Sequence, residues 1–267
     1  MNHDISQILD DWKYDPDSNV RRIRGDDGVA KIQVRVDQGA FQGILQLNLD
    51  GRADGKRPHD RDFALDHYRD TLVEHEQRAG SEEGFALNHP SCEELFEESA
   101  QVYGRYVFLL QVKDYERVIR DTERNMGCFE FLHQFAVLDE DRMNLQKWWP
   151  YIIRIHATAL SSQLADDEKF DRALRVLSES RQRIEALDHV DAEEFHAERE
   201  RSVEALDELA QEIRGRKPLS ERERLEKALE EAITDEAFEQ AAQLRDQLRD
   251  LPDTEPDTEP DTESDTE

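Results

Sequence analysis

The chain has 267 residues, of which 37% are charged and 37% apolar, and a net charge of −29. That length allows one large domain or two smaller ones, and the apolar share allows a core, but a thin one that should lie where the aromatic residues concentrate, before residue 152. The acidity opposes binding to a phosphate backbone, which depends on Lys and Arg releasing counterions, and gives no positive case for a membrane surface.

The first residues lack a charged stretch followed by an apolar one, the pattern of a secretory signal. No apolar run approaches the roughly 20 residues that a membrane-spanning helix needs. Cys92 and Cys128 lie 36 residues apart. The expectation is a cytoplasmic protein with reduced thiols.

The N-terminal segment, 1–80, reads as a small α+β unit. Arg21, Arg22 and Arg24 read as a solvated basic run. Ile32, Val34 and Val36 alternate with polar residues, as do Leu45, Leu47 and Leu49. A period of two marks strands with one buried face, and the glycine-bearing stretch 38–43 between them predicts an antiparallel hairpin. Its apolar face needs a cover, for which the candidates are a helix over 62–78 and the segment Trp12-Lys13-Tyr14. The turn-rich stretch 50–58 gathers Arg52, Lys56 and Arg57, with His59 beyond it. It reads as a hairpin exit loop, with an anion site as the alternative.

Residues 79–90 read as a linker. Ser91 with Glu94 predicts a capping box, and helices follow over 92–112, 115–137, 140–165, 168–187 and from Asp191 to about 214. Pro150 should kink or restart the third of these. Val112-Lys113-Asp114-Tyr115, Asp167-Glu168-Lys169-Phe170 and Asp235-Glu236-Ala237-Phe238 share one pattern, in which a polar turn leads to an aromatic residue that opens a helix. Antiparallel helix pairs of tetratricopeptide-like arrays join in this way, so 91–214 is expected to be a tetratricopeptide-like helical domain without a regular repeat.

Ser220 with Glu223 predicts another capping box. Leu225, Leu229 and Ala232 fall on one helical face, and Phe238, Ala241, Leu244 or Arg245, Leu248 and Leu251 form a second seam. Two short helices joined by three residues are antiparallel. A hairpin of this size buries little alone and needs a partner. The tail, 252–267, repeats Pro-Asp-Thr-Glu and then Ser-Asp-Thr-Glu, and is expected to be disordered and acidic. Its eight acids account for part of the −29 and leave −21 for the rest of the chain.

Residues 219–251 closely resemble the UVR motif, through Leu225-Glu226-Lys227-Ala228-Leu229-Glu230-Glu231-Ala232 and above all Phe238-Glu239-Gln240-Ala241-Ala242-Gln243-Leu244-Arg245-Asp246-Gln247-Leu248. The motif occurs in UvrB, UvrC, the activator of protein-arginine kinase and some Clp-type ATPases. Ala237 departs from it, since the family usually has an acidic residue before the aromatic one. The resemblance implies protein contacts, with Leu225, Leu229, Phe238, Ala241, Ala242, Leu244, Arg245, Asp246 and Leu248 as partner-binding residues. Stretches of the N-terminal segment, such as Asp11 to Pro16, resemble a group of bacterial UVR-bearing proteins of uncharacterised function.

The sequence holds no recognisable catalytic or metal-binding pattern. There is no GxxxxGK[ST] phosphate loop and no CxxC pair. His89, Cys92, Cys128 and His133 could supply four zinc ligands, but Cys128 and His133 are five apart on an expected helix and point to different faces. No metal and no cofactor is expected. Asp26-Asp27 and Asp139-Glu140-Asp141 read as turn and cap residues, and His156 as a satisfied buried histidine. Trp148-Trp149-Pro150-Tyr151 reads as inter-helix core, or else as part of a peptide-binding groove.

The expected fold is mostly α with a small α+β N-terminal unit, and the expected function is a non-enzymatic adaptor. Its UVR hairpin docks a UvrB/UvrC-like, Clp-like or kinase-like partner, or a second copy to make a homodimer, without direct nucleic-acid or membrane contact. The alternative is an accessory factor of nucleotide excision repair or stress response. An enzyme with its site at 50–59 is the third reading.

Overall fold

A computed structural model describes residues 4–251, so the expected disorder of 252–267 lies outside the described residues. The chain divides into two compact units, with the division after Arg214. The fold is mostly helical, with a small antiparallel sheet near the N-terminus.

In the first unit a short helix α1 (Ser6–Asp11) precedes strands β1 (Val20–Arg24), β2 (Ala30–Gln38) and β3 (Phe41–Asn48). The sheet order is β1-β2-β3, antiparallel throughout, with Val20 opposite Val34 and Ile32 opposite Leu47. The two expected strands are present, and β1 is an addition. Its sequence Val-Arg-Arg-Ile-Arg offers few apolar residues to a periodicity argument, and the arginines read as a surface run. Gln38 pairs with Phe41 across Gly39-Ala40, and Gly39 has φ 60°. A positive φ at the first central residue only is the type II′ arrangement, whose twist suits a hairpin.

Ile32, Val34 and Leu49 are buried, whereas Leu45 is 43% exposed. The buried face therefore covers only the half of the sheet that meets the helices. That core joins Ile32, Leu49 and Phe63 to Val102, Tyr106 and Leu109 of α3 (His89–Gln111) and to Val118 of α4 (Tyr115–Phe135). Sheet and helices thus share one core.

Helix α2 (Ala64–Ala79) ends at Gly80, whose φ of 83° supplies a left-handed cap that glycine adopts without steric cost. The expected linker 79–90 is pinned: Leu87 forms a parallel bridge with Ala136, through Leu87 N to Phe135 O at 2.8 Å and Val137 N to Leu87 O at 3.0 Å. The cap of α3 is Asn88, which accepts from the Ser91 amide at 3.0 Å, with Pro90 in the first turn. The expected Ser91–Glu94 box does not form. Glu94 instead accepts from the Tyr68 hydroxyl at 2.7 Å.

The expected third helix is broken into α5 (Asp139–Met143), a 3-10 turn at Gln146–Trp148 and α6 (Trp149–Asp166). Pro150 sits in the first turn of α6, where its missing N–H costs nothing. Helices α7 (Phe170–Glu185) and α8 (Glu193–Arg216) complete the unit. Trp149, Ile153, Leu177, Ile184 and Leu206 build a second core, and Leu95, Phe131 and Leu132 a third.

The second unit holds α9 (Glu221–Thr234) and α10 (Phe238–Asp250), which pack against each other.

Candidate functional site

The hairpin of α9 and α10 begins at a complete capping box. Ser220 Oγ accepts from the Glu223 amide at 3.1 Å, and the Glu223 carboxylate accepts from the Ser220 amide at 2.7 Å. Two of the donors that every helix start leaves bare are thereby satisfied.

The corner between the helices is made by backbone alone. Glu236 stands in the left-handed region at φ 56° and bonds back to Ile233 O at 3.1 Å, while Ala237 N reaches Ala232 O at 2.8 Å. This is a Schellman closure. The same closure follows α3, with Lys113 at φ 55° and Asp114 N to Leu109 O at 3.0 Å, and follows α6, with Glu168 at φ 62° and Lys169 N to Leu164 O at 2.8 Å. The residue opening the next helix makes no side-chain cap in any of the three. Ala237 therefore loses no bond by lacking a carboxylate.

Behind each corner a small or branched residue is buried where the helices touch: Val118 and Ala173 at 0% exposure and Ala241 at 9%. Among the described residues of the second unit, Ala232 is the other buried one. Leu225, Leu229, Leu244 and Leu248 are half-buried along the same seam, and Asp246 is half-buried on the other side of α10, beside Arg249.

The aromatic residues differ. Tyr115 and Phe170 pack against the cores of the first unit. Phe238 is 70% exposed. At 3.6 residues per turn it lies about 100° round the helix from the middle of the Ala241, Leu244, Leu248 and Leu251 seam. It shares an outer face with Ala242 and Arg245, both exposed. Phe238 and Arg245 therefore do not belong to the seam in which the sequence placed them. Ile233, 55% exposed, stands one turn from the corner.

The loop 50–59 is otherwise engaged. Arg52 is 5% exposed and is held by Asp54 at 3.0 Å and Glu98 at 3.3 Å. Arg57 pairs with Asp62 at 3.1 Å, Lys56 with Asp54 at 3.8 Å and His59 with Glu94 at 3.0 Å. The cations that suggested an anion site are each met by a carboxylate. Glu98 also accepts from the amides of Ala64 at 2.6 Å and Leu65 at 3.1 Å, which caps α2 from the side of α3. The basic run is similarly committed: Arg21 lies on Trp12 and bonds Gln33, Arg22 pairs with Asp114, and Arg24 donates to Gly28 O.

Cys92 and Cys128 are free, buried thiols, and burial pushes both above the usual range, Cys92 to about 11. His89 turns to Asp141, with Nδ1 3.0 Å from each carboxylate oxygen. The described residues contain no group of three or more His, Cys, Asp or Glu that could hold a metal ion. Nor do they contain a helix long and apolar enough to cross a membrane. His156 Nδ1 is 2.9 Å from Thr122 Oγ1, and burial lowers its pKa. Asp27 accepts from the Val29 amide and from Lys31, as a turn residue does.

Two helices with a short joint, a buried alanine contact and an exposed aromatic residue on the outer face define a helical hairpin motif. Residues 220–251 match the family model described as the UvrB/uvrC motif. The UVR motif mediates protein–protein or DNA-repair-associated contacts. No curated protein and no solved structure matches the chain.

Proposed function

We propose that the protein is a non-enzymatic adaptor that docks a protein partner, or a second copy of itself, through the outer face of the UVR hairpin. The observation that carries this reading is Phe238. Its counterparts at two matching corners are packed, and it alone lies open. A phenyl ring at the end of an otherwise charged helix pair is the kind of anchor on which interfaces concentrate their energy. Ala242 leaves room beside it for an incoming side chain, and Arg245 supplies a charged rim. Leu225, Leu229, Ala241, Leu244 and Leu248 serve the same surface from below by holding the two helices together, and Asp246, paired with Arg245, belongs to the charged rim. The tetratricopeptide-like layout of the first unit belongs to the same reading and is supported by its two corners. Cytoplasmic placement belongs to the same reading, and the two free, buried thiols support it.

The motif's description favours one second reading, an accessory factor of excision repair that acts through UvrB/UvrC-like contacts. It uses the same face.

Affinity capture with the full chain, wild type and Phe238→Ala in parallel, tests the proposal, with sedimentation to read self-association. Proteins or dimers present with wild type should be lost with the variant, by about 2 kcal/mol or roughly thirtyfold in affinity. Equal capture and equal sedimentation of the two would remove the hairpin face as the docking surface.

A further inference from the structure

A cavity of about 350 Å³ opens in the first unit between α3, α4, α6 and α8, walled by Tyr103, Tyr106, Phe129, Trp148 and Tyr151, with Glu198 as the charged residue in its lining. It absorbs half of the Trp148 cluster, since Trp149 belongs to the core and Trp148 and Tyr151 to the cavity wall.

The rings form an interlocked set. Tyr103 meets Tyr106 edge-on at 5.5 Å and Tyr151 at 5.7 Å. Tyr106 is 2% exposed and Tyr103 is 47% exposed, so Tyr103 forms the rim.

Glu198 is 9% exposed. Its Oε1 accepts from Arg201, whereas Oε2 has no hydrogen-bond donor and lies 3.6 Å from the Arg154 guanidinium. Arg154 itself donates to Ser202 and lies over the Tyr151 ring at 4.9 Å, and neither arginine lines the cavity. A buried carboxylate oxygen without a donor is costly, and the residue that carries it lines a space large enough for a guest.

We infer that this cavity binds an organic cation bearing N–H, an alkylammonium or alkylguanidinium group, which donates to the Glu198 carboxylate while its carbons and charge lie against the tyrosine and tryptophan faces. Aromatic faces attract cations through the ring quadrupole, most strongly where water is excluded. The volume lies at the small end of ligand cavities, which suits a short amine or a basic side chain. The chain's charge of −29 raises the local concentration of cations and disfavours anions. The group can arrive as a free small amine or as a lysine side chain of a peptide.

Titration of the full-length protein at matched ionic strength, followed by tryptophan fluorescence, tests this. The probes are n-butylammonium, n-butanol, tetramethylammonium and N-acetyl-lysine N-methylamide. Saturable binding of n-butylammonium is expected, about tenfold tighter than that of n-butanol, which lacks the charge, or of tetramethylammonium, which lacks the donor. Glu198→Gln should lower the affinity about tenfold, and so should Tyr103→Ala, a rim substitution that leaves the core intact. A lysine amide that matches n-butylammonium identifies a peptide side chain as the natural guest, and its exclusion identifies a free amine. Absence of saturation with n-butylammonium, or equal binding of n-butanol or tetramethylammonium, overturns the inference. So does unchanged affinity in a folded Glu198→Gln variant.

Discussion

Arg105 and Asp121 are 0% and 1% exposed, with two contacts at 2.7 and 2.8 Å, and the guanidinium also donates to Asn48 O and Gly51 O. One side chain thus ties α3 to α4 and both to the end of β3 and the loop that follows it. Asp121→Ala should cost about 3–5 kcal/mol, because it strands a buried charge, and a urea midpoint measures it. Replacing both partners with Met and Leu should recover only part of the loss, since the carbonyls of Asn48 and Gly51 lose this donor. His89 gives a pH-dependent counterpart. The hydrogen bond to Asp141 and the charge of that carboxylate, with Glu93 and Glu140 behind, raise His89 above its ordinary 6.5. The folded value exceeds the unfolded one, so the stabilisation is complete below the unfolded value and disappears as pH rises through the folded value. The stability gap between wild type and His89→Gln should be wider at acid than at alkaline pH, and a gap independent of pH would refute the coupling. In the hairpin, Ala241→Glu places a carboxylate in the dry helix contact. It should lower α-helical signal and docking together, whereas Phe238→Ala should lower docking alone.

Among the elements, the three corners carry a cost that can be relieved. Lys113, Glu168 and Glu236 occupy a left-handed conformation that favours glycine. Glu168→Gly should stabilise the protein by about 0.5–1 kcal/mol, and Glu168→Val should destabilise it. Denaturation midpoints of the two variants must move in opposite directions. The corners and the Ser220 box were readable because each is local: a few adjacent residues carry the whole signal. Strand β1 was not, since Val20 and Ile23 sit among arginines whose partners, such as Asp114, are far along the chain. The α3 cap was misplaced by three residues because Asn88 and Ser91 are both good caps, and Pro90, at home in a first turn, was the clue that separates them. The open position of Phe238 was within reach of helical angles, but the motif pattern drew it into the seam. The aromatic cavity assembles residues from 96 to 198, and no local spacing announces it.

For the molecule as a whole, charge sets the behaviour. Outside the tail the net charge is −21, and self-repulsion of that size opposes compaction. The melting temperature should rise from about 0.1 M to about 1 M salt, as the screening length falls from about 10 to about 3 Å. A flat or falling profile would show that local ion pairs dominate. The same field should keep the protein off duplex DNA at physiological salt, since Arg21, Arg22 and Arg24 already have partners and cannot supply several phosphate contacts. Anisotropy titration with intact and lesion-bearing duplexes checks this, and tight binding that weakens steeply with salt would contradict it. The Schellman corner has a further consequence at this scale. In stacked helical arrays each pair is sheltered by the next, and the terminal pair needs a polar cap to stay soluble. The α9–α10 pair is built with the same joint as the two corners of the first unit, yet its aromatic residue faces outward. Under the proposed docking, a partner that covers Phe238 gives the hairpin the shelter that a neighbouring pair gives in such arrays. A helix pair with a complementary groove is then the partner shape to look for, and residues 235–238 should be exchangeable with 112–115 without loss of the hairpin.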